Sequence, residues 1–256
     1  MTRFGNAFCY MNYDEFKNSI VSKFSSMLAM DLSDAKCNIF FDYMNFLIEK
    51  NKVMNLTAID EPEEIIVKHF VDSAGPLKIF GRDYFIGKKI ADVGTGAGFP
   101  GLPLAILCDD AKFVLNDSLG KRIKFINEFL DREKEVKNVE TLNARAEDFG
   151  QDVLYREKFD IVVSRAVSRT AILAEYTLPL LKVCGKLFLY KMNDCDEEIA
   201  EAKKAIETLG GKFHVKHSYV LVESEPQRCI VEIEKIKNTP KQFPRKPGTP
   251  AKAPLK

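Results

Sequence analysis

This chain is poor in the residues that build metal centres and covalent frameworks. Its three histidines form no recognisable ligand set. Its six cysteines, Cys9, Cys37, Cys108, Cys184, Cys195 and Cys229, include no C-x-x-C pair. That spacing excludes a zinc site or a disulfide scaffold and predicts no bound metal. Cysteines in apolar strings such as "LAILC" predict buried thiols in a reducing cytoplasmic setting. The opening "MTRFGNAFCYMN" has no apolar h-region, and no apolar run reaches the length of a membrane span. No signal peptide and no membrane partner are therefore expected. Neither sign of charge dominates, with 38 Lys+Arg against 37 Asp+Glu. A nucleic-acid surface must then be a local patch, because the molecule as a whole is not a polycation. No internal repeat is present.

What is present is enough apolar material for a sizeable core, 46% of 256 residues. Residues 13–50 read as helix. Ile39, Phe40, Tyr43, Met44, Phe46 and Leu47 recur at three- and four-residue intervals, as a core-facing stripe does. A second helix is predicted over "EPEEIIVKHFVDSA", with Pro62 in its first turn and Glu63 and Glu64 at the positive end of its dipole. From Lys88 the pattern becomes strands alternating with helices. Five strand strings, "KKIADV", "KFVLND", "VETLNA", "FDIVVSRA" and "GKLFLYKM", argue for a parallel sheet with helices on both faces. Two more strands, "FHVKHSYVLV" and "RCIVEIEKI", are joined by the short link "ESEPQ" and read as a hairpin. The expected fold is α/β and Rossmann-like, with a seven-stranded, mostly parallel sheet whose last strand is antiparallel. It divides into a helical extension (1–87), a core (88–238) and a basic tail (239–256). From Thr239 on, five prolines and five Lys/Arg occur without an acid, so the tail is expected to be solvated and non-helical, to add to RNA affinity and to leave cofactor affinity unaffected.

The chemistry centres on "KKIADVGTGAGFPGLPLAIL". Gly96-Ala97-Gly98-Phe99-Pro100-Gly101 fits G-x-G-x-x-G, the dinucleotide fingerprint. Asp92, two residues before Gly94, speaks against a pyrophosphate, which its carboxylate would repel. It suits a ligand with an ammonium group and no phosphate, and S-adenosylmethionine is such a ligand. Asp117, at the tip of the second strand, has the acceptors for a ribose diol, a feature NAD enzymes share. Glu147 and Asp148, in "NARAEDF" after the third strand, fall near the expected adenine edge.

The methyl acceptor is narrowed by what the fourth strand does not carry. Ser164-Arg165-Ala166-Val167 stands where amine methylation commonly uses a D/N-P-P-Y/F loop, and no cysteine is there to attack a pyrimidine C5. Acceptors with a free lone pair remain, guanine N7 among them. Such a reaction needs positioning and no protein base. Arg165 and Arg169 are candidates for a phosphate or a guanine edge. RNA contacts are expected from Lys121, Arg122, Arg145, Arg169, Lys191 and Arg245. A small-molecule methyltransferase and a ribosome-binding module without activity stay open on these residues alone.

The strings "NLTAI", "HFVDS", "DVGTGAGFPGLPLAI", "DSLGKR", "ARAEDF", "FDIVVSRAV" and "TPKQFPRKPGTPAKAPL" together resemble the bacterial ribosomal small-subunit methyltransferase G family, also called glucose-inhibited division protein B. The resemblance runs from about Asn51 to the C-terminus. It implies a class I methyltransferase that moves a methyl group from S-adenosylmethionine to N7 of one guanine in the decoding-region loop of 16S rRNA. The substrate would be 16S rRNA or a small-subunit precursor, and the enzyme a monomer. Carried over by motif, Gly94, Gly96, Gly98 and Phe99 would line the methionine end. Asp117 would hold the ribose, Ala146 and Glu147 would flank the adenine, and Arg165 would face cofactor and base. Asn116 replaces the usual apolar residue, and "YKMND" lacks the common glycine after Lys191.

Overall fold

The computed structural model describes residues 11–165, 168–221 and 227–256. Cys9, Ala166, Val167 and most of the "ESEPQ" link lie outside them. The N-terminal stretch is two helices where one was expected. α1 (Tyr13–Leu28) starts at a reciprocal cap between Asn12 and Glu15 and buries Phe16, Ile20, Phe24 and Leu28 along one stripe. It stops at Ala29, whose φ of 51° leaves the helical region, and Ser33 caps α2 (Asp34–Met54). The predicted helix after Glu61 is irregular. Three α-helical residues (α3, Pro62–Glu64) pass into a π-helical turn over Ile65–Val71. α4 (Gly75–Phe80) follows.

The sheet has seven strands: β1 (Lys89–Val93), β2 (Lys112–Asp117), β3 (Val139–Asn143), β4 (Phe159–Arg165), β5 (Leu181–Met192), β6 (Gly211–Tyr219) and β7 (Arg228–Lys235). Their order is β3-β2-β1-β4-β5-β7-β6. The first five run parallel, and β7 is antiparallel to both neighbours. The helices between them are α5 (Gly101–Leu107), α6 (Gly120–Arg132), α7 (Ala146–Gln151), α8 (Thr170–Thr177) and α9 (Asp196–Thr208). α8 ends earlier than its apolar run because Pro179 cannot extend it, and β5 starts correspondingly early.

Side-chain alternation in the sheet creates two apolar layers. Ile90, Phe113, Leu115, Ile161 and Val163 face a layer shared with α1, α2 and the π-helical turn. Ala91, Val93, Val114, Val162 and Leu187 face the other. The N-terminal helices are thus one cover of the sheet, sharing its core. Chain order reverses between β1 and β4, which places the ligand crevice outside their carboxyl ends.

The tail differs from expectation. It lies against the sheet's helical cover and contains one helical turn, α10 (Thr249–Lys252). The Arg156 guanidinium donates to the carbonyls of Phe243 (2.6 Å) and Thr239 (2.9 Å), and Gln151 donates to Pro244 O. Proline-rich backbone has few N–H donors, so its carbonyls are free for such side chains. Four described thiols are buried, and Cys184 is exposed. Among the described residues no helix is long and apolar enough to cross a membrane.

Candidate active site

The glycine loop is held from both sides. Asp92 at the end of β1 is fully buried. Its Oδ2 accepts from Thr95 Oγ1 (2.6 Å) and Gly101 N (2.8 Å), folding the turn onto the start of α5. Gly101 must be glycine, since a Cβ there would stand 2.7 Å from Asp92 Oδ2. From α2, Tyr43 Oη donates to Ala97 O. Burial raises the Asp92 carboxyl to about 7 despite these hydrogen bonds.

A cavity of about 540 Å³ opens above this loop. Its floor and walls include Gly94, Gly96, Ala97, Phe99, Asp117, Ala146, Glu147 and Arg165. The expected direct role of Asp92 needs correction: it lies beneath the turn and does not line the cavity. Its strand position directs the side chain to the Thr95 hydroxyl and the Gly101 N–H. Gly98 is also off the lining, against Tyr43 and Leu102. Asp117 does reach the cavity. Its Oδ2 accepts from Gly96 N (3.0 Å) and Arg122 Nη1 (3.1 Å), and its Oδ1 from Leu119 N (2.8 Å). Two carboxylate oxygens offer about four acceptor positions, so a ribose hydroxyl still finds one. Asn116 also lines the cavity, and its amide nitrogen donates to Leu142 O and Ala144 O, tying β2 to the end of β3.

Across the cavity stands a cluster of which only Arg165 was expected as a site residue. Arg165, at the tip of β4, donates from Nη1 to Asp72 Oδ2 (2.7 Å) and Lys68 O (3.1 Å). Asp72 also accepts from Tyr219 Oη (2.9 Å). His69 Nδ1 lies 3.4 Å from Arg165 Nη2, and its Nε2 lies 2.9 Å from Thr57 Oγ1. The His69 ring stacks on Phe99, with centroids 4.3 Å apart. Burial, and then the Arg165 charge, lower the His69 imidazole to about 3. The π-helical turn brings Lys68 O, His69 and Asp72 to one end of β4, a placement typical of π-helical insertions. "NLTAI" and "HFVDS" were the strings that carried these residues, but neither pattern told which strand tip they would meet.

The predicted basic patch divides. Arg122 and Arg145 line the cavity, and Lys121, next to Arg122 in α6, donates to Met54 O. Arg122 pairs with Asp117, and the other three are likewise committed to carboxylates. Arg169 pairs with Glu201, and Lys191 with Glu198 at 2.7 Å. Arg245 makes bidentate contact with buried Glu175. Composition reveals a cation but not the acid that folds against it.

The donor set suits an adenosyl amino acid. A Cβ built on Gly96 meets nothing within 4 Å, so the loop offers bare backbone to a ligand. Asp92 Oδ1 is buried beneath the loop without a hydrogen-bond partner.

Residues 36–230 match the family described as rRNA small subunit methyltransferase G. A protein of that name from Clostridium novyi is 46% identical over 246 residues, covering 96% of this chain and all of the relative. One from Lachnoclostridium phytofermentans is 47% identical over 228 residues, covering 89% and 93%. Among solved structures, a mutant 16S rRNA (adenine(1408)-N(1))-methyltransferase from Catenulisporales acidiphilia, with cosubstrate SAM, superposes with a TM-score of 0.51 at 11% identity, covering 62% of this chain and 90% of that one. At that identity the likeness concerns the fold.

Proposed function

This chain belongs to the rRNA small subunit methyltransferase G family, and from that premise we infer how its cavity performs methyl transfer to N7 of a guanine in 16S rRNA. The cofactor, S-adenosylmethionine, supplies an electrophilic methyl group on a sulfonium. Gly94 and Gly96 line the cofactor's amino-acid end with bare backbone. Asp117 accepts the ribose hydroxyls, and Ala146 and Glu147 flank the adenine. Arg165, braced by Asp72 and Lys68 O, stands opposite the loop and orients the incoming guanine.

The family match carries the choice of N7. The cavity fits it: the lining histidine, buried and beside Arg165, is lowered to about 3 and is a poor base at neutral pH. Guanine N7 has an in-plane lone pair and no proton to lose, so positioning suffices. Lys121, Arg122 and Arg145 supply the local positive rim for the RNA backbone. The substrate is 16S rRNA, free or in a small-subunit precursor.

The test is methylation of 16S rRNA by purified protein, followed by borohydride and aniline treatment. Strand cleavage at one guanine is the expected result, with a single-turnover rate nearly flat from about pH 6.5 to 9. A product resistant to cleavage, or a rate rising tenfold per pH unit, contradicts transfer to N7.

A further inference from the structure

We propose that the C-terminal strap, residues 239–256, forms the outer wall at the base end of the cofactor site, so that strap docking and cofactor binding stabilise one another. The proposal rests on the assignment of the cavity to S-adenosylmethionine.

Gly248 and Ala251 of the strap line the same cavity as Ala146, Glu147 and Tyr176. The link between them is direct. Glu147, only 4% exposed, accepts a hydrogen bond from Gly248 N at 2.8 Å, across 101 residues of sequence. Burial and the neighbouring Glu147 raise the Tyr176 hydroxyl, which places that carboxylate among the groups around the base end. Gly248 has a φ of 81°, a conformation that proline cannot adopt.

The strap is anchored before it reaches the cavity. Glu175, fully buried, receives Arg245 through N (2.8 Å), Nε (2.8 Å) and Nη2 (2.6 Å). Lys235 Nζ donates to Thr239 Oγ1 at 2.6 Å, and a Cβ on Gly150 would fall 2.7 Å from Pro244. These contacts aim the following residues over the cavity mouth. There the Gly248 N–H orients the Glu147 carboxylate at the end of the cavity assigned to adenine. A base in the cavity and a docked strap therefore share Glu147, and two events that share a group are thermodynamically linked.

Two measurements on the full chain test this, with S-adenosylhomocysteine as the probe. Tryptic cleavage after Lys252, an exposed residue beside Ala251, is followed by mass spectrometry. At a probe concentration about ten times its Kd, cleavage should slow about tenfold, since binding depletes the undocked population. Gly248→Pro removes the N–H and the left-handed backbone together. It should weaken probe binding about tenfold by calorimetry while leaving Tm within a few degrees. Lys241→Ala, elsewhere on the strap, should bind as the parent does. If the probe leaves cleavage unchanged and Gly248→Pro keeps its Kd within twofold, the strap is a passive cover and the proposal fails. If the parent protein does not bind the probe at all, the cofactor assignment fails first and takes the proposal with it.

Discussion

Asp72→Asn removes the charge that braces Arg165 while keeping the side chain's shape. In the folded protein one buried carboxylate takes Arg165 Nη1 at 2.7 Å and Tyr219 Oη at 2.9 Å, with Arg228 Nε 3.7 Å away. An asparagine has one accepting oxygen. Its amide nitrogen must face either Arg165 or Tyr219, so one donor loses its acceptor. A hydrogen bond to a charged group contributes about 1.5–3 kcal/mol, and breaking a fully buried ion pair costs about 3–5 kcal/mol. The Arg165 side chain is 13% exposed and borders the cavity, so water relieves part of that cost. We expect a stability loss of about 2–3 kcal/mol in urea titrations. The functional effect should be larger. Arg165 keeps Lys68 O and its place over the Phe99 ring, 5.3 Å from the centroid, yet loses the bond that sets its direction. A misplacement of about 1 Å in a positioning group lowers the rate by about 10²-fold. Asp72 does not line the cavity, so S-adenosylhomocysteine affinity should stay within about threefold. The assay is single-turnover methyl transfer to 16S rRNA with saturating cofactor, beside calorimetry on the same preparation. A turnover within twofold of the parent, or a loss matched by an equal loss of cofactor affinity, would falsify the bracing role.

Three further outcomes follow from the same geometry. Asp117→Ala should weaken S-adenosylhomocysteine binding by roughly 1–3 kcal/mol in calorimetry, because a ribose acceptor and the anchor of Gly96 N disappear together. Asp92 is raised to about 7, so the stability of its protonated form is present in acid and is lost as pH rises through 7. Asp92→Asn cannot ionise and should gain on the parent by about 1–3 kcal/mol between about pH 5 and 8.5 in urea titrations; a pH-independent difference sinks the buried-acid reading. His69 is lowered to about 3, so its contribution is present above its ordinary 6.5 and is lost as pH falls toward 3. His69→Gln should therefore show a shallower acid limb than the parent between about pH 6.5 and 4, and equal limbs would mean that the ring charges freely in the fold.

Strand number, parallel order and the two catalytic-face landmarks were legible without coordinates. Apolar strings bounded by glycine and aspartate mark strands whose tips carry function, and Asp117 stood at such a tip as expected. The glycine loop was equally legible, since only a residue without Cβ tolerates the contact that Gly101 makes with Asp92. Helix breaks were less so. Residues 13–50 carry one continuous apolar rhythm, and the stop at Ala29 depends on a left-handed turn that alanine rarely adopts.

What the tertiary structure decided is which charge meets which. Asp92 and Asp117 are alike as letters, but the turn folds over one and leaves the other at the cavity wall. Arg165 and Asp72 lie 93 residues apart, and Arg245 and Glu175 lie 70 apart. Hydrophobic periodicity is local and survives in any window of sequence, so it announces elements. A buried ion pair is chosen by the path of the whole chain, because desolvation makes an unpaired charge too costly to leave in the interior. For that reason the tail looked like a free basic arm until Glu175, Glu147 and Arg156 were seen to hold it over the cavity.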